Sequence, residues 1–276
     1  MSLKLMYITN APRVAEIVER SGVDRIFVDM EYIGKSLRQG GMNTVQCRHT
    51  VDDVRGIKMA VRESKVMVRC NPIHEATDDY CSSREEIDMV VEAGADIIML
   101  PFFKTVDEVS DFVSYVNGRS KTLLLFETPE SVSLVDEILE IDGIDEVFIG
   151  LNDLSLGYKK KFMFELLTDG TVETLCEKFK AKGLLYGFGG IAALGKGMLP
   201  SEYVIREHYR LGSTCAILSR SFCNTGIVTD LDEIERIFDR GMKEIRELEA
   251  ECAESDAEYF ALNRREVERL IGEIVG

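Results

Sequence analysis

The sequence predicts a (β/α)8 barrel with extra C-terminal helices. Three observations carry this. Eight short apolar runs recur along the chain, separated by segments of helical periodicity, and strands alternating with helices build a parallel sheet. The runs are continuous rather than alternating, as in strands covered on both faces. The 276 residues suit one barrel of roughly 250 residues followed by a tail.

The strand-like runs fall at 3–9, 25–30, 66–71, 96–101, 122–128, 146–151, 185–191 and 215–219. The helices between them carry start signals. Thr50 to Asp53 reads as a capping box with Asp in place of Glu, and Ser83 to Glu86 opens a helix that runs to Gly94. Thr105 to Glu108 and Thr128 to Ser131 repeat the pattern, the latter with Pro129 in the first turn. These motifs are structural.

Two places depart from the regular unit. Residues 31–48 hold Gly34, Gly40 and Gly41 with little periodicity, too long for a plain βα connection and placed where a barrel carries a lid or binding loop. The tail carries two helical stripes. Leu231, Ile234, Phe238, Met242, Ile245 and Leu248 form one; Phe260, Val267, Leu270, Ile271 and Ile274 form the other. The expected organisation is a catalytic barrel over 1–230 and a helical extension over 231–276 that serves oligomerisation. The extension's stripes cover either their own barrel or a neighbouring subunit, and a homo-oligomer is expected.

Forty-nine acids against 33 bases leave a net charge of −16. That field repels nucleic acid and anionic membranes, so neither is an expected partner, while it attracts divalent cations. Seven scattered cysteines without a C-x-x-C pair, no apolar stretch of about 20 residues and no signal-peptide h-region lead to the expectation of a soluble cytoplasmic protein.

The runs at 122–128 and 146–151 each lead into a carboxylate, Glu127 and Asp153. Carboxylates at the carboxyl ends of neighbouring parallel strands converge on one mouth. Two such donors, with positions left for water and substrate, suit Mg²⁺ or Mn²⁺ better than zinc. Glycines 187, 189, 190, 195 and 197 with Lys196 after the seventh run read either as a phosphate cradle or as a tight turn.

Val28-Asp29-Met30-Glu31, Val68-Arg69-Cys70-Asn71-Pro72, Met99-Leu100-Pro101, Phe126-Glu127-Thr128-Pro129-Glu130 and Phe148 through Ser155 stand at five successive strand ends. In that order they resemble the HpcH/HpaI aldolase and citrate lyase beta-subunit family over roughly residues 20–225. The resemblance implies a metal-dependent carbon–carbon lyase working through a chelated enolate of a pyruvate- or oxaloacetate-like 2-oxo acid, or on a related acyl-CoA. It implies Glu127 and Asp153 as metal ligands and Arg69 as the group holding the enolate oxygen. It also implies the backbone N–H groups of Gly150, Leu151 and Asn152 as receivers of the substrate carboxylate. A guanidinium suits its role because it stays ionised and presents a planar fork; the bland alternative is a surface arginine paired with Asp29 or Glu31.

The chain departs from the family at Tyr32, where family aldolases carry the acid–base histidine. Three histidines exist, at 49, 74 and 208. His49 stands just before a helix start that faces the mouth and is the expected base; His74 follows Pro72 on a loop that could reach it, and His208 lies in a helix as a structural residue. The candidate catalytic set is thus Arg69, His49, Asp29 and Tyr32. A phosphoenolpyruvate mutase-like isomerase and a non-catalytic barrel that lost its base are the alternatives.

Overall fold

Every apolar run becomes a strand, because each carries enough β-branched and aromatic bulk to fill two faces at once. The strands are β1 (Lys4–Ile8), β2 (Arg25–Asp29), β3 (Lys65–Arg69), β4 (Ile97–Leu100), β5 (Lys121–Phe126), β6 (Glu146–Ile149), β7 (Leu185–Ile191) and β8 (Cys215–Leu218). All pairings are parallel, each strand bonds the next, and β8 returns to β1, closing an eight-stranded barrel. The computed structural model describes residues 2–34 and 48–276. Most of the expected lid over 31–48 lies outside the described residues.

Twelve helices occur among the described residues. They are α1 (Pro12–Arg20), α2 (Val51–Ala60), α3 (Ser83–Glu92), α4 (Val106–Val116), α5 (Pro129–Ser133), α6 (Val135–Ile138), α7 (Leu151–Gly157), α8 (Glu165–Thr168), α9 (Thr171–Ala181), α10 (Ser201–Leu211), α11 (Leu231–Glu254) and α12 (Ala257–Val275). Full capping boxes form at Thr50, Thr105 and Thr128. The cap of α3 is Ser82 rather than Ser83, because Glu85, not Glu86, sits three residues on and returns to it. Ser83 and Glu86 are instead buried inside the helix.

Two apolar shells result. Met6, Phe27, Met67, Ile97, Met99, Leu123, Leu125, Phe148 and Cys215 fill the barrel interior, and a larger shell separates strands from helices. At the amino-terminal end the interior is closed by Arg25, whose Nη1 and Nη2 reach Glu146 across the barrel at 2.7 and 2.9 Å.

Both tail stripes face the chain's own barrel. Ile234, Phe238, Met242, Ile245 and Leu248 are buried, with α11 lying on α1 and α10, and Phe238 meets the edge of Tyr7 at 4.8 Å. Helix α12 lies on α10 and α8, burying Val267 and Ile271. The tail is also tied to β1 by polar bonds, since Leu3 N donates to Glu249 Oε1 at 2.6 Å and Arg246 donates to Leu3 O. No helix among the described residues is long and apolar enough to cross a membrane.

Candidate active site

Alternation along the strands decides which groups meet at the carboxyl-terminal mouth. Phe27, Met67 and Leu125 point inward, so Asp29, Arg69 and Glu127, each two residues further on, stand on the same face at the mouth. Arg69 Nε and Nη2 donate to the two oxygens of Asp29, both at 2.8 Å. Its Nη1 lies 3.3 Å from Glu31 Oε2. The pairing with both acids is present, but this is not a surface arginine: Asp29 and Glu31 are 2% and 1% exposed. Burial opposes charge on Arg69, yet Asp29 and Glu31, with a further contribution from Glu127, hold its pKa well above the arginine range. The guanidinium is therefore a fixed cation in a site with little water.

Glu127 is 4% exposed. Its Oε1 accepts the N–H of Phe102 at 3.0 Å, an amide aimed by a left-handed backbone at Phe102 with φ of +49°. Asp153 stands in the first turn of α7, and Asn152 Nδ2 donates to its Oδ1 at 3.0 Å. Glu127 and Asp153 line one cleft of about 300 Å³ together with Phe102, Lys104, Glu130 and Leu156. Among the described residues no group of three or more His, Cys, Asp or Glu side chains is arranged to hold a metal. The donor set is two hard carboxylates beside open volume, which fits a cation that keeps several waters, as Mg²⁺ does, and not a closed zinc site.

The expected carboxylate receiver spans the end of β6 and the start of α7. Gly150 is not a donor to substrate, because its N–H goes to Phe126 O at 3.0 Å in the barrel ladder. Its contribution is the missing side chain: a Cβ there would lie 2.7 Å from Glu127 Cβ and 2.9 Å from Oε2. Leu151 and Asn152 are the first residues of α7, where a backbone N–H has no carbonyl within the helix.

His49 reaches the end of β2, where its Nδ1 accepts the N–H of Asp29 at 3.0 Å. With Nδ1 accepting from the Asp29 amide, the ring's other nitrogen, Nε2, is the one that carries a proton. Tyr32 is 41% exposed, tilted against Tyr80 with centroids 5.4 Å apart, and burial pushes its phenol pKa up. Its N–H and that of Ile33 both go to Asn71 Oδ1, at 3.0 and 2.9 Å. Asn71 in turn donates to the buried Glu86. Asn71 and Phe102 thus hold the site's backbone, and neither stood out in the sequence: an acceptor for two distant amides and a positive φ leave no periodic trace.

The other expectations fall away from the mouth. His74 spends Nδ1 on Pro72 O and Ser83 Oγ and Nε2 on Cys81 O, pinned within its own loop. His208 is fully buried, stacked on Phe188 at 3.9 Å. The glycine-rich stretch is a packing device, since a Cβ at Gly187 would meet Cys215 O at 2.2 Å and one at Gly189 would meet Leu151 Cδ1 at 2.8 Å. Gly195 N and Lys196 N bond Glu202 and Ala193, so these two amides are already engaged within the loop. A larger cleft of about 610 Å³, lined by Lys4, Lys65 and Lys121, opens at the amino-terminal face, where barrels carry stability rather than chemistry.

The chain is similar to a hydroxypyruvate/pyruvate aldolase of Roseovarius nubinhibens, 24% identical over 52% of this chain and 60% of that protein. It thus spans less than two thirds of that relative's length. It is also similar to a 2-keto-3-deoxy-L-rhamnonate aldolase of Escherichia coli, 25% identical over 65% of this chain and 71% of the relative. The fold matches the crystal structure of an HpcH/HpaI aldolase from Desulfitobacterium hafniense with a TM-score of 0.59 at 15% identity, over 83% of this chain and 92% of that one. Residues 4–183 match the family as a whole, and the chain belongs to the HpcH/HpaI aldolase/citrate lyase family.

Proposed function

We propose that the protein is a Mg²⁺- or Mn²⁺-dependent carbon–carbon lyase that cleaves or forms a bond beside the oxo group of a pyruvate-like 2-oxo acid. The observation that supports it most is the meeting of Glu127 and Asp153 on one cleft, with Arg69 near enough for Glu127 to favour its charge. The names of the aldolase relatives support a 2-oxo acid over an acyl-CoA. Glu127 and Asp153 would hold the cation, which when bound supplies a Lewis acid for the carbonyl and carboxylate of the substrate. Arg69, kept charged and oriented by Asp29 and Glu31, stabilises negative charge on the enolate oxygen. The N–H groups of Leu151 and Asn152 orient the substrate carboxylate at the start of α7. His49, oriented by the Asp29 amide at the end of β2, would be the group that moves a proton at the substrate. Glu127 and Asp153 on one open cleft at the mouth, with a charged Arg69 beside Glu127, weigh against the non-catalytic reading.

The protein takes a small molecule as its partner and works in the reducing cytoplasm, where its thiols stay unpaired. A homo-oligomer would form through outer faces of barrel and tail, including the half-buried Phe260, Leu270 and Ile274 of α12, the α11 stripe being largely covered; light scattering at micromolar concentration reads this directly.

The test is calorimetric titration with Mn²⁺ alongside deuterium exchange at C3 of pyruvate in D₂O. Glu127→Gln and Asp153→Asn each lose cation affinity by about tenfold or more, and Arg69→Met keeps the cation while losing exchange. Binding unchanged in both carboxylate variants removes the site. His49→Ala lowers exchange by about 10²-fold, whereas Tyr32→Phe leaves it within a fewfold.

A further inference from the structure

The amino-terminal end of the barrel carries a layer of lysines. Lys4, Lys65 and Lys121 are the first residues of β1, β3 and β5, each two positions before an interior residue, Met6, Met67 and Leu123. Strand alternation therefore turns all three toward the barrel axis, as one layer drawn from alternate strands. Leu185, which opens β7, is the fourth member. All four line the cleft of about 610 Å³, whose floor is the buried Arg25–Glu146 pair and Ile97.

Most carboxylates of this cleft are already engaged. Glu19 Oε1 accepts the N–H groups of Arg62, Glu63 and Ser64, at 2.9, 2.7 and 2.8 Å. Asp96 Oδ2 accepts from Lys58 Nζ at 2.7 Å and from the Val66 N–H at 2.8 Å. Asp24 Oδ2 accepts the Leu5 N–H at 2.9 Å and Arg246 Nη2 at 3.3 Å, and Lys4 Nζ stands 3.6 Å from its other oxygen. Among the described residues neither Lys65 nor Lys121 pairs with a carboxylate. Glu63, exposed in the turn before β3, is the remaining acid, and an exposed ion pair is too weak to hold Lys65.

One strand separates β3 from β5, so their backbones stand roughly 10 Å apart. Flexible four-carbon stems let both ammoniums reach a common point between them. At physiological salt, charges beyond about 8 Å are screened, so these local cations outweigh the chain's net charge of −16. We propose that this end of the barrel binds a compact polyanion, a small molecule whose phosphoryl or carboxylate groups bridge Lys65 and Lys121, with Lys4 at its edge. An ammonium acts on such groups as a point charge, so several anionic oxygens close together are what the layer recognises. The site shares no residue with the mouth, and it stands independently of the lyase reading.

The test titrates pyrophosphate and propane-1,2,3-tricarboxylate into the full-length protein by calorimetry, in metal-free buffer where no cation bridges either anion to Glu127 and Asp153. At least one of them is expected to bind once per chain and to raise the thermal midpoint by several degrees near saturation. Binding of pyrophosphate alone identifies phosphoryl groups as the recognised chemistry, binding of the tricarboxylate alone identifies carboxylates, and binding of both identifies clustered charge. Lys65→Met and Lys121→Met each lower the affinity by about tenfold, and Lys4→Met by a fewfold. Lys243→Met leaves it unchanged, this lysine lying on α11 beside Glu247. Methionine keeps the apolar stem at an exposed strand start, so the unliganded midpoints stay within a few degrees and a lost shift reports lost binding. Neither anion binding, affinity unchanged in both Lys65→Met and Lys121→Met, or an equal loss in Lys243→Met overturns the site.

Discussion

Gly150 shows how one missing side chain can set a site. The position is occupied by the Glu127 carboxylate itself, so Gly150→Ala forces Glu127 aside by the better part of an ångström. Mn²⁺ affinity is expected to fall by about tenfold in calorimetry with the thermal midpoint within a few degrees of wild type. Equal affinity would mean that Glu127 does not face the cation. His208 makes the opposite point, as a histidine with no chemistry at the mouth. Burial lowers its imidazole from 6.5 to about 3, and Nδ1 meets Ser213 Oγ at 2.8 Å. Between those pH values the unfolded chain takes up a proton that the folded chain refuses. Its contribution to stability is complete above about pH 6.5 and is lost as pH falls toward 3, by up to about 1.4 kcal/mol per unit. Urea unfolding at pH 7 and pH 5 should show wild type losing more stability than His208→Gln over that interval. Identical losses in the two proteins would refute the buried neutral ring.

At the scale of elements, β2 and β6 carry their functional ends on a shared internal strut. Arg25 and Glu146 open these strands and meet inside the barrel, 8% and 2% exposed, beneath Phe27 and Phe148. Arg25→Met leaves the carboxylate buried without its partner and should cost about 3–5 kcal/mol in denaturant unfolding. The double change Arg25→Met with Glu146→Leu should recover much of that loss, since two apolar side chains of similar volume remove both desolvation penalties. A double variant as unstable as the single one would show that the pair sets strand register rather than filling space.

For the whole molecule, the tail belongs to the barrel's core. Ending the chain after Asp230 strips α11 and α12 from α1, α8 and α10 and exposes Tyr7, whose ring lies against Phe238 and whose hydroxyl donates to Cys223 O. The expected product is an insoluble or molten chain, seen as lost near-ultraviolet dichroism and dye binding. A soluble truncated barrel with a cooperative melt would show instead that the stripes serve assembly more than folding.

The sequence by itself determined the strand order, the barrel and most helix starts, because these depend on local pattern: continuous apolar runs, helical stripes and Thr-x-x-acid caps. It also singled out Glu127 and Asp153 as acids following two apolar runs, and the family resemblance singled out Arg69. What it could not carry were relations between groups distant in the chain. Whether Arg69 is surface or buried depends on how β2 and β3 align Asp29 and Glu31 beside it. Which proton His49 holds depends on the Asp29 amide, twenty residues away. The family resemblance implied Gly150 as a donor, and only the closed ladder showed its N–H given to Phe126. The tail's stripes declared themselves apolar in the sequence, but apolarity has no direction: only the tertiary structure decided that the surface covering them is the chain's own barrel.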